Sequence, residues 1–340
     1  MRIIFAGSPA IAVPALWALS EMEMEGLPLV LAGILTNRDS KRGRHGHLEP
    51  TEISAEALKI DAIRKERGLA PIPQLKPGKL DEQARKDVAA LGPELLVSFA
   101  CGHFFGPRFL SLFPMGGINI HPSLLPKYRG SCPIPAAILG REKEMGICIQ
   151  KLAPELDAGN ILMQDRFGLS GRETASSLSE TVSRRAALLL RELLLDFKNK
   201  NACARPQEGE AVYCREINKE AGLIDWNKSA VEIDARIRAY TPWPLSFTRL
   251  GNETLIVLEA RVPESADGSD GSGGNGKTGQ GLAADACRTG KVLGTGRDGI
   301  LIQTGNGILS VSRLQWQAKK ALDWKAFLNG SRNFIGAQLG

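Results

Sequence analysis

A chain of 340 residues is long enough to bury more than one core, so two domains are expected. Apolar residues make up 43% and charged residues 24%, which excludes a disordered chain, and no apolar run reaches the ~18 residues of a membrane-spanning helix. The net charge of +6 admits an anionic partner, and the placement of the cations decides whether there is one.

Met1 to Phe5 runs directly into a strand pattern without the layout of a secretory leader, so the expected location is the cytoplasm. Six cysteines (Cys101, Cys132, Cys148, Cys203, Cys214, Cys287) include no C-x-x-C pair, and neither a disulfide framework nor a metal site is expected.

Residues 2–7 (R-I-I-F-A-G) are an apolar run closed by glycine, the pattern of a buried parallel strand. A helix over 12–24, with Pro14 in its first turn, and a second apolar run over 29–35 complete a β-α-β unit. The turn Gly7-Ser8-Pro9 lacks the G-x-G-x-x-G of a dinucleotide site, which argues against a nicotinamide dehydrogenase. Next comes a basic, glycine-punctuated loop at 36–48, in which Arg38, Lys41, Arg42 and Arg44 face Asp39 alone. Helices are predicted over 53–67 and 80–91, stopped by Gly68 and by Gly92-Pro93, with a short strand near Ile72 between them.

The spacing predicts strands over 95–100, 117–121 and 145–152, and a short helix over 134–139. An apolar stripe through Leu178, Val182, Ala186, Leu190, Leu194 and Phe197 predicts a helix over 174–197 that closes the first domain. Residues 198–210 are polar and read as a linker. In 211–340 a helix over 232–239 precedes short strand-like runs separated by glycine turns, the pattern of a small β-barrel. A Gly/Ser-rich stretch at about 264–281 cannot build a core and reads as a disordered insertion. The fold class is therefore α/β: a Rossmann-like, doubly wound, mostly parallel sheet over 1–197, followed by an OB-like β-barrel.

The stretch G-I-N-I-H-P-S-L-L-P-K-Y-R-G at 117–130 carries Asn119 and His121 to the carboxyl end of a buried strand, where α/β proteins keep their chemistry. Asp157 lies on a later loop, L-D-A-G. If the three converge, amide donors, an imidazole and a carboxylate suit the tetrahedral intermediate formed when an amine attacks a carbonyl carbon. Alternatively Asn119 and His121 merely satisfy backbone groups at a strand end, and spacing alone leaves both readings open. Ser123 and Cys132 are nucleophiles for a rival hydrolase reading, but neither lies in a G-x-S-x-G elbow.

N-I-H-P-S-L-L-P-K-Y-R-G at 119–130, with L-D-A-G at 156–159, resembles the signature of the 10-formyltetrahydrofolate-dependent formyltransferases. The resemblance implies that Asn119, His121 and Asp157 are catalytic, and that Ser123, Leu124, Leu125 and Pro126 line the site of the formyl donor, 10-formyltetrahydrofolate. Pro122 is closer to glycinamide ribonucleotide members, which have one domain. The second domain, with I-D-W at 224–226, I-R-A-Y-T-P-W-P at 237–244 and Lys319-Lys320, resembles instead the tRNA-directed members, although Ala318 stands where glycine usually precedes the lysines. The resemblance thus implies formyl transfer to the α-amine of methionine on initiator tRNA; a monomer with no membrane role is expected. Lys41, Arg42 and Arg44 would hold the acceptor stem, and Lys319 and Lys320 the tRNA backbone. Amino-sugar nucleotide formyltransferases, sharing both domains, are the runner-up. Hydrolysis of formyltetrahydrofolate with the same trio, or RNA or folate binding without turnover, are further alternatives.

Overall fold

The computed structural model describes residues 1–42, 46–263 and 288–340, with nothing described for the side chain of Arg42. The stretch 264–281 expected as a disordered insertion lies outside the described residues, and so does Arg44. The chain forms two compact units. One comprises Met1–Ala137, Glu142–Ser170 and Ser177–Glu216; the other comprises Ile138–Arg141, Gly171–Ser176 and Ile217–Gly340.

In chain order the elements are β1 (Arg2–Ala6), α1 (Val13–Met24), β2 (Val30–Leu35), a hairpin of β3 (Ser40–Arg42) and β4 (His47–Glu49), α2 (Glu52–Glu66), β5 (Gln74–Leu75), α3 (Glu82–Ala90) and β6 (Leu95–Phe99). Then follow α4 (Pro107–Leu110), β7 (Gly117–His121), β8 (Arg129–Gly130), α5 (Pro133–Leu139), β9 (Glu144–Lys151), β10 (Ile161–Gly168), α6 (Ala175–Leu195), α7 (Phe197–Ala202) and β11 (Tyr213–Cys214).

Ile3 to Ala6 of β1 and all of β6 are buried on both faces, as central strands of a parallel sheet must be. Seven strands run in the order β10-β9-β7-β6-β1-β2-β5. The ladders from β7 to β5 are parallel, whereas β9 and β10 form an antiparallel edge. The strand order reverses between β1 and β6, which puts the ligand crevice beyond the carboxyl ends of the central strands. Two helices start where polar caps stop the backbone from fraying. Thr51 Oγ1 accepts from the Ser54 amide at 3.1 Å, and Asp81 Oδ1 from the Ala84 amide at 3.0 Å. Glu23 and Arg64 tie α1 to α2 by a buried ion pair at 2.5 Å.

Three parts of this unit differ from the expectations. The basic stretch 36–48 is not a plain loop, because its ends pair as the β3–β4 hairpin. The helix expected over 174–197 stops at Leu195, where Asp196 leaves helical geometry, and a new helix, α7, begins. Residues 198–210, expected as a linker, therefore start inside a helix, and Arg205 pairs with Ile161 through two backbone hydrogen bonds of 2.7 and 3.0 Å.

The second unit contains α8 (Ala230–Ala239), β12 (Ser246–Leu250), β13 (Glu253–Arg261), β14 (Val292–Thr295), β15 (Ile300–Gln303), β16 (Ile308–Trp316), β17 (Leu322–Asp323) and α9 (Trp324–Gly330). Its strands form a separate antiparallel sheet in the order β12-β13-β16-β15-β14, with β17 on β16. Alternating residues of β13, β15 and β16, among them Leu255, Val257, Ile300, Ile302 and Leu309, meet Ile233 and Ile237 of α8 and Trp226 in one core. The Trp226 indole donates to Thr248 Oγ1 at 2.9 Å, which permits its burial. Ser229 and Glu232 cap α8 reciprocally. No described helix is long and apolar enough to cross a membrane.

Candidate active site

Side chains alternate along β7, so Asn119 and His121 share one face of the sheet while Ile118 and Ile120 occupy the other. The antiparallel register places Gln150 of β9 directly opposite Asn119, and opposed residues share a face. Asp157 arrives from the turn between β9 and β10, where its backbone adopts a left-handed φ of 51°. Its carboxylate collects the group. Oδ1 accepts from Gln150 Nε2 at 2.9 Å and from Asn119 Nδ2 at 3.3 Å; Oδ2 accepts from the Gly130 amide at 2.9 Å and faces His121 Nδ1 at 3.5 Å. Asn119, His121 and Asp157, expected to act together, do meet.

His121 is buried between two acceptors, Asp157 Oδ2 on its Nδ1 side and the Tyr128 carbonyl oxygen 2.8 Å from Nε2. Either neutral tautomer satisfies one acceptor, and only the imidazolium satisfies both. Burial works against that charge and holds the pKa below its usual value, with Asp157 and the Tyr128 carbonyl pulling upward. The result is a neutral imidazole with a place ready for a second proton.

Two glycines make this packing possible. A Cβ on Gly130 would lie 2.3 Å from the Cys214 carbonyl oxygen, and one on Gly159 would lie 1.8 Å from that of Lys151. Gln207, from the stretch expected as a linker, donates to the carbonyl oxygens of Asp157 at 2.8 Å and Gly159 at 2.9 Å. Nothing in the sequence marked Gln207. Gln150 did carry a signal, as a lone amide at the end of the apolar run G-I-C-I-Q.

Beyond His121, Ser123, Leu124, Leu125 and Pro126 line a cleft of about 310 Å³, together with Met145 and Arg205 among others. The Ser123 hydroxyl donates to the Lys127 carbonyl at 2.6 Å, which commits its proton to the backbone and removes it as an activated nucleophile. Leu125 packs with Cys148 and Ile161. His103 has a buried Nε2 without a hydrogen bond and makes none to the trio. Lys41 is exposed on β3, and Lys319 and Lys320 are exposed after β16. Within the first unit, Lys41 makes no hydrogen bond or ion pair with the trio.

An open α/β sheet that presents an amide, an imidazole and a carboxylate at its carboxyl edge, beside a cleft in which Ser123 has its proton committed to the backbone, has the groups that acyl transfer to an external nucleophile requires. The chain belongs to the formyl transferase family: residues 1–194 match the model described as "Formyl transferase" and residues 216–332 the one described as "Formyl transferase, C-terminal domain". It is 48% identical over 339 residues to a protein of Treponema denticola named methionyl-tRNA formyltransferase, covering 98% of each chain. Among solved structures it resembles HypX from Aquifex aeolicus in complex with tetrahydrofolic acid, with a TM-score of 0.60 and 14% identity, over 98% of this chain and 48% of that one. The chain thus spans about half the length of HypX. An N-formyltransferase from Helicobacter canadensis, in complex with folinic acid and dTDP-3-aminofucose, is similar with a TM-score of 0.60 and 16% identity, over 92% of this chain and 98% of that one. These two likenesses bear on the fold alone.

Proposed function

We propose that the chain transfers the formyl group of 10-formyltetrahydrofolate to the α-amine of methionine esterified to initiator tRNA. The observation that carries the chemistry is the meeting of Asn119, His121 and Asp157 beside the cleft lined by Ser123 to Pro126. The methionyl-tRNA acceptor is supported by the full-length likeness to the Treponema denticola protein.

The cleft suits the donor. Its volume is that of a small-molecule site, Leu124, Leu125, Met145 and Ile161 offer an apolar wall to a flat ring, and Arg205 offers a cation to a carboxylate, while Arg166 is paired with Glu144. At the trio, Asn119 donates an amide hydrogen to the oxygen that becomes negative as the amine nitrogen bonds the formyl carbon. Such donors contribute ~3 to 4 kcal/mol each. His121 accepts the proton that the amine releases and returns it to the folate nitrogen as the carbon–nitrogen bond breaks. Asp157 stabilises the imidazolium formed on the way.

Lys41, Arg42 and Arg44 are assigned to the acceptor stem on the basic sequence of 36–48, and Lys319 and Lys320, which are exposed, to tRNA phosphates. The enzyme is assigned to the cytoplasm as a monomer. The test is an assay with 10-formyltetrahydrofolate and charged initiator tRNA, run beside an amino-sugar nucleotide. N-formylmethionyl-tRNA is the expected product. Formylation of the sugar with the tRNA left untouched would select the other acceptor class.

A further inference from the structure

Gln207 falls between the two family matches, which end at residue 194 and resume at residue 216. We propose that Gln207 is a positioning residue for the formyl transfer inferred above, holding the Asp157 carboxylate in place through Gln150 and through the backbone of the Asp157–Gly159 turn.

Gln207 Nε2 lies 2.8 Å from the Asp157 carbonyl oxygen, 2.9 Å from that of Gly159 and 3.1 Å from Gln150 Oε1. Its Oε1 accepts from Arg129 Nε at 3.1 Å and Nη2 at 2.8 Å. The orientation of this amide is settled by its neighbours, because a guanidinium only donates and a backbone carbonyl only accepts. The same logic orients Gln150: its oxygen meets Gln207, so its nitrogen points to Asp157 Oδ1, 2.9 Å away. The chain of contacts therefore runs with one polarity, from the Arg129 cation through two amides to the Asp157 anion. Aligned dipoles of this kind reinforce one another.

The backbone around Gln207 is fixed on both sides. Arg205 pairs with Ile161, the Val212 amide donates to the Pro126 carbonyl at 3.2 Å, and the Arg129 amide donates to the Val212 carbonyl at 2.8 Å. The segment is thus a strap, stretched from the last strand of the sheet to the cleft loop, with one side chain turned onto the turn that carries Asp157. That turn holds a non-glycine residue at positive φ, a conformation that persists only where its surroundings impose it.

A carboxylate at position 207 would still accept from Arg129, but it would offer no donor to the two carbonyls or to Gln150. Gln207→Glu therefore separates positioning from mere anchoring. Since Gly130 donates its amide to Asp157 Oδ2 at 2.9 Å, hydrogen exchange at Gly130 reports the pose of the carboxylate without any turnover.

In the full-length protein, Gln207→Glu is expected to fold and to lower kcat by about 10- to 100-fold, up to the loss that follows when a reacting group is misplaced by about 1 Å. KM for the folate donor should change less than ~2-fold, and Gly130 exchange should quicken about 10-fold or more, the scale of the lost turnover. Wild-type kcat and wild-type exchange at Gly130 would overturn the proposal. Should Gln207→Glu not fold, Gln207→Met, neutral and of similar length, carries the same two measurements with the same expected losses. If the wild-type protein does not formylate methionyl-tRNA, the acceptor assignment falls, and exchange at Gly130 still decides whether Gln207 holds Asp157.

Discussion

His121 Nδ1 stands 3.5 Å from Asp157 Oδ2, with 5% and 10% of the two side chains exposed. The carboxylate opposes the burial that pushes the imidazole below its ordinary pKa of 6.5. Folded His121 thus binds fewer protons than unfolded His121. Its contribution to stability is complete above about 6.5 and is lost as pH falls from there through the folded value. Asp157→Asn removes the upward pull, so the His121 titration followed by nitrogen NMR is expected to move lower still. Turnover should fall by about 10²-fold or more as the imidazolium loses its counter-charge. An unchanged His121 titration would show that the carboxylate does not act on the ring.

Gly159 is required by contact rather than by its own conformation, since a Cβ there would lie 1.8 Å from a backbone oxygen. Gly159→Ala is expected to shift the Asp157 turn, lowering kcat about 10²-fold by misplacement and stability by about 1 to 3 kcal/mol by overpacking. Gly168, at the end of β10, has nothing within 4 Å of a built Cβ and serves as the control. Gly168→Ala should stay within about 0.5 kcal/mol of wild type in urea unfolding.

Ala318 adopts a φ of 64° immediately before Lys319 and Lys320. A left-handed alanine costs about 1 to 2 kcal/mol, and glycine would remove that cost. The larger unfolded-state entropy of glycine returns about 0.5 to 1 kcal/mol of it. Ala318→Gly should therefore raise the urea midpoint slightly, by about 0.5 to 1 kcal/mol in stability, with catalysis unchanged. A lowered midpoint would mean that the Ala318 methyl group contributes packing.

Lys319 and Lys320 are exposed. If they contact phosphates, replacing both by alanine should raise KM for charged tRNA and flatten its logarithmic dependence on salt by about 1 to 2 slope units. KM for the folate donor should not move. An unchanged salt slope would remove these lysines from the tRNA surface.

Strands flanked by glycine, and helices with polar starts and apolar stripes, were legible because those signals lie within a few residues. β1, β6 and β7 appear where the apolar runs put them, and α2 and α8 lie within two residues of their predicted bounds. Edge strands were less visible. β10 reads I-L-M-Q-D-R-F-G, exposes much of its length and forms because β9 is there to pair with it. The β3–β4 hairpin has only exposed residues on β4, so no alternation announces it.

The sequence by itself determined that Asn119 and His121 end a buried strand, that the fold is an open α/β sheet with an antiparallel second unit, and that the L-D-A-G turn supplies an acid. What it left undecided was whether these groups meet, because Asn119 and Asp157 are 38 residues apart and Arg129 and Gln207 are 78 apart. Those contacts depend on the register of β9 against β7 and on the path of the chain after α7. A polar side chain gains its partner there only once the sheet has formed, so no local pattern of hydrophobicity records it.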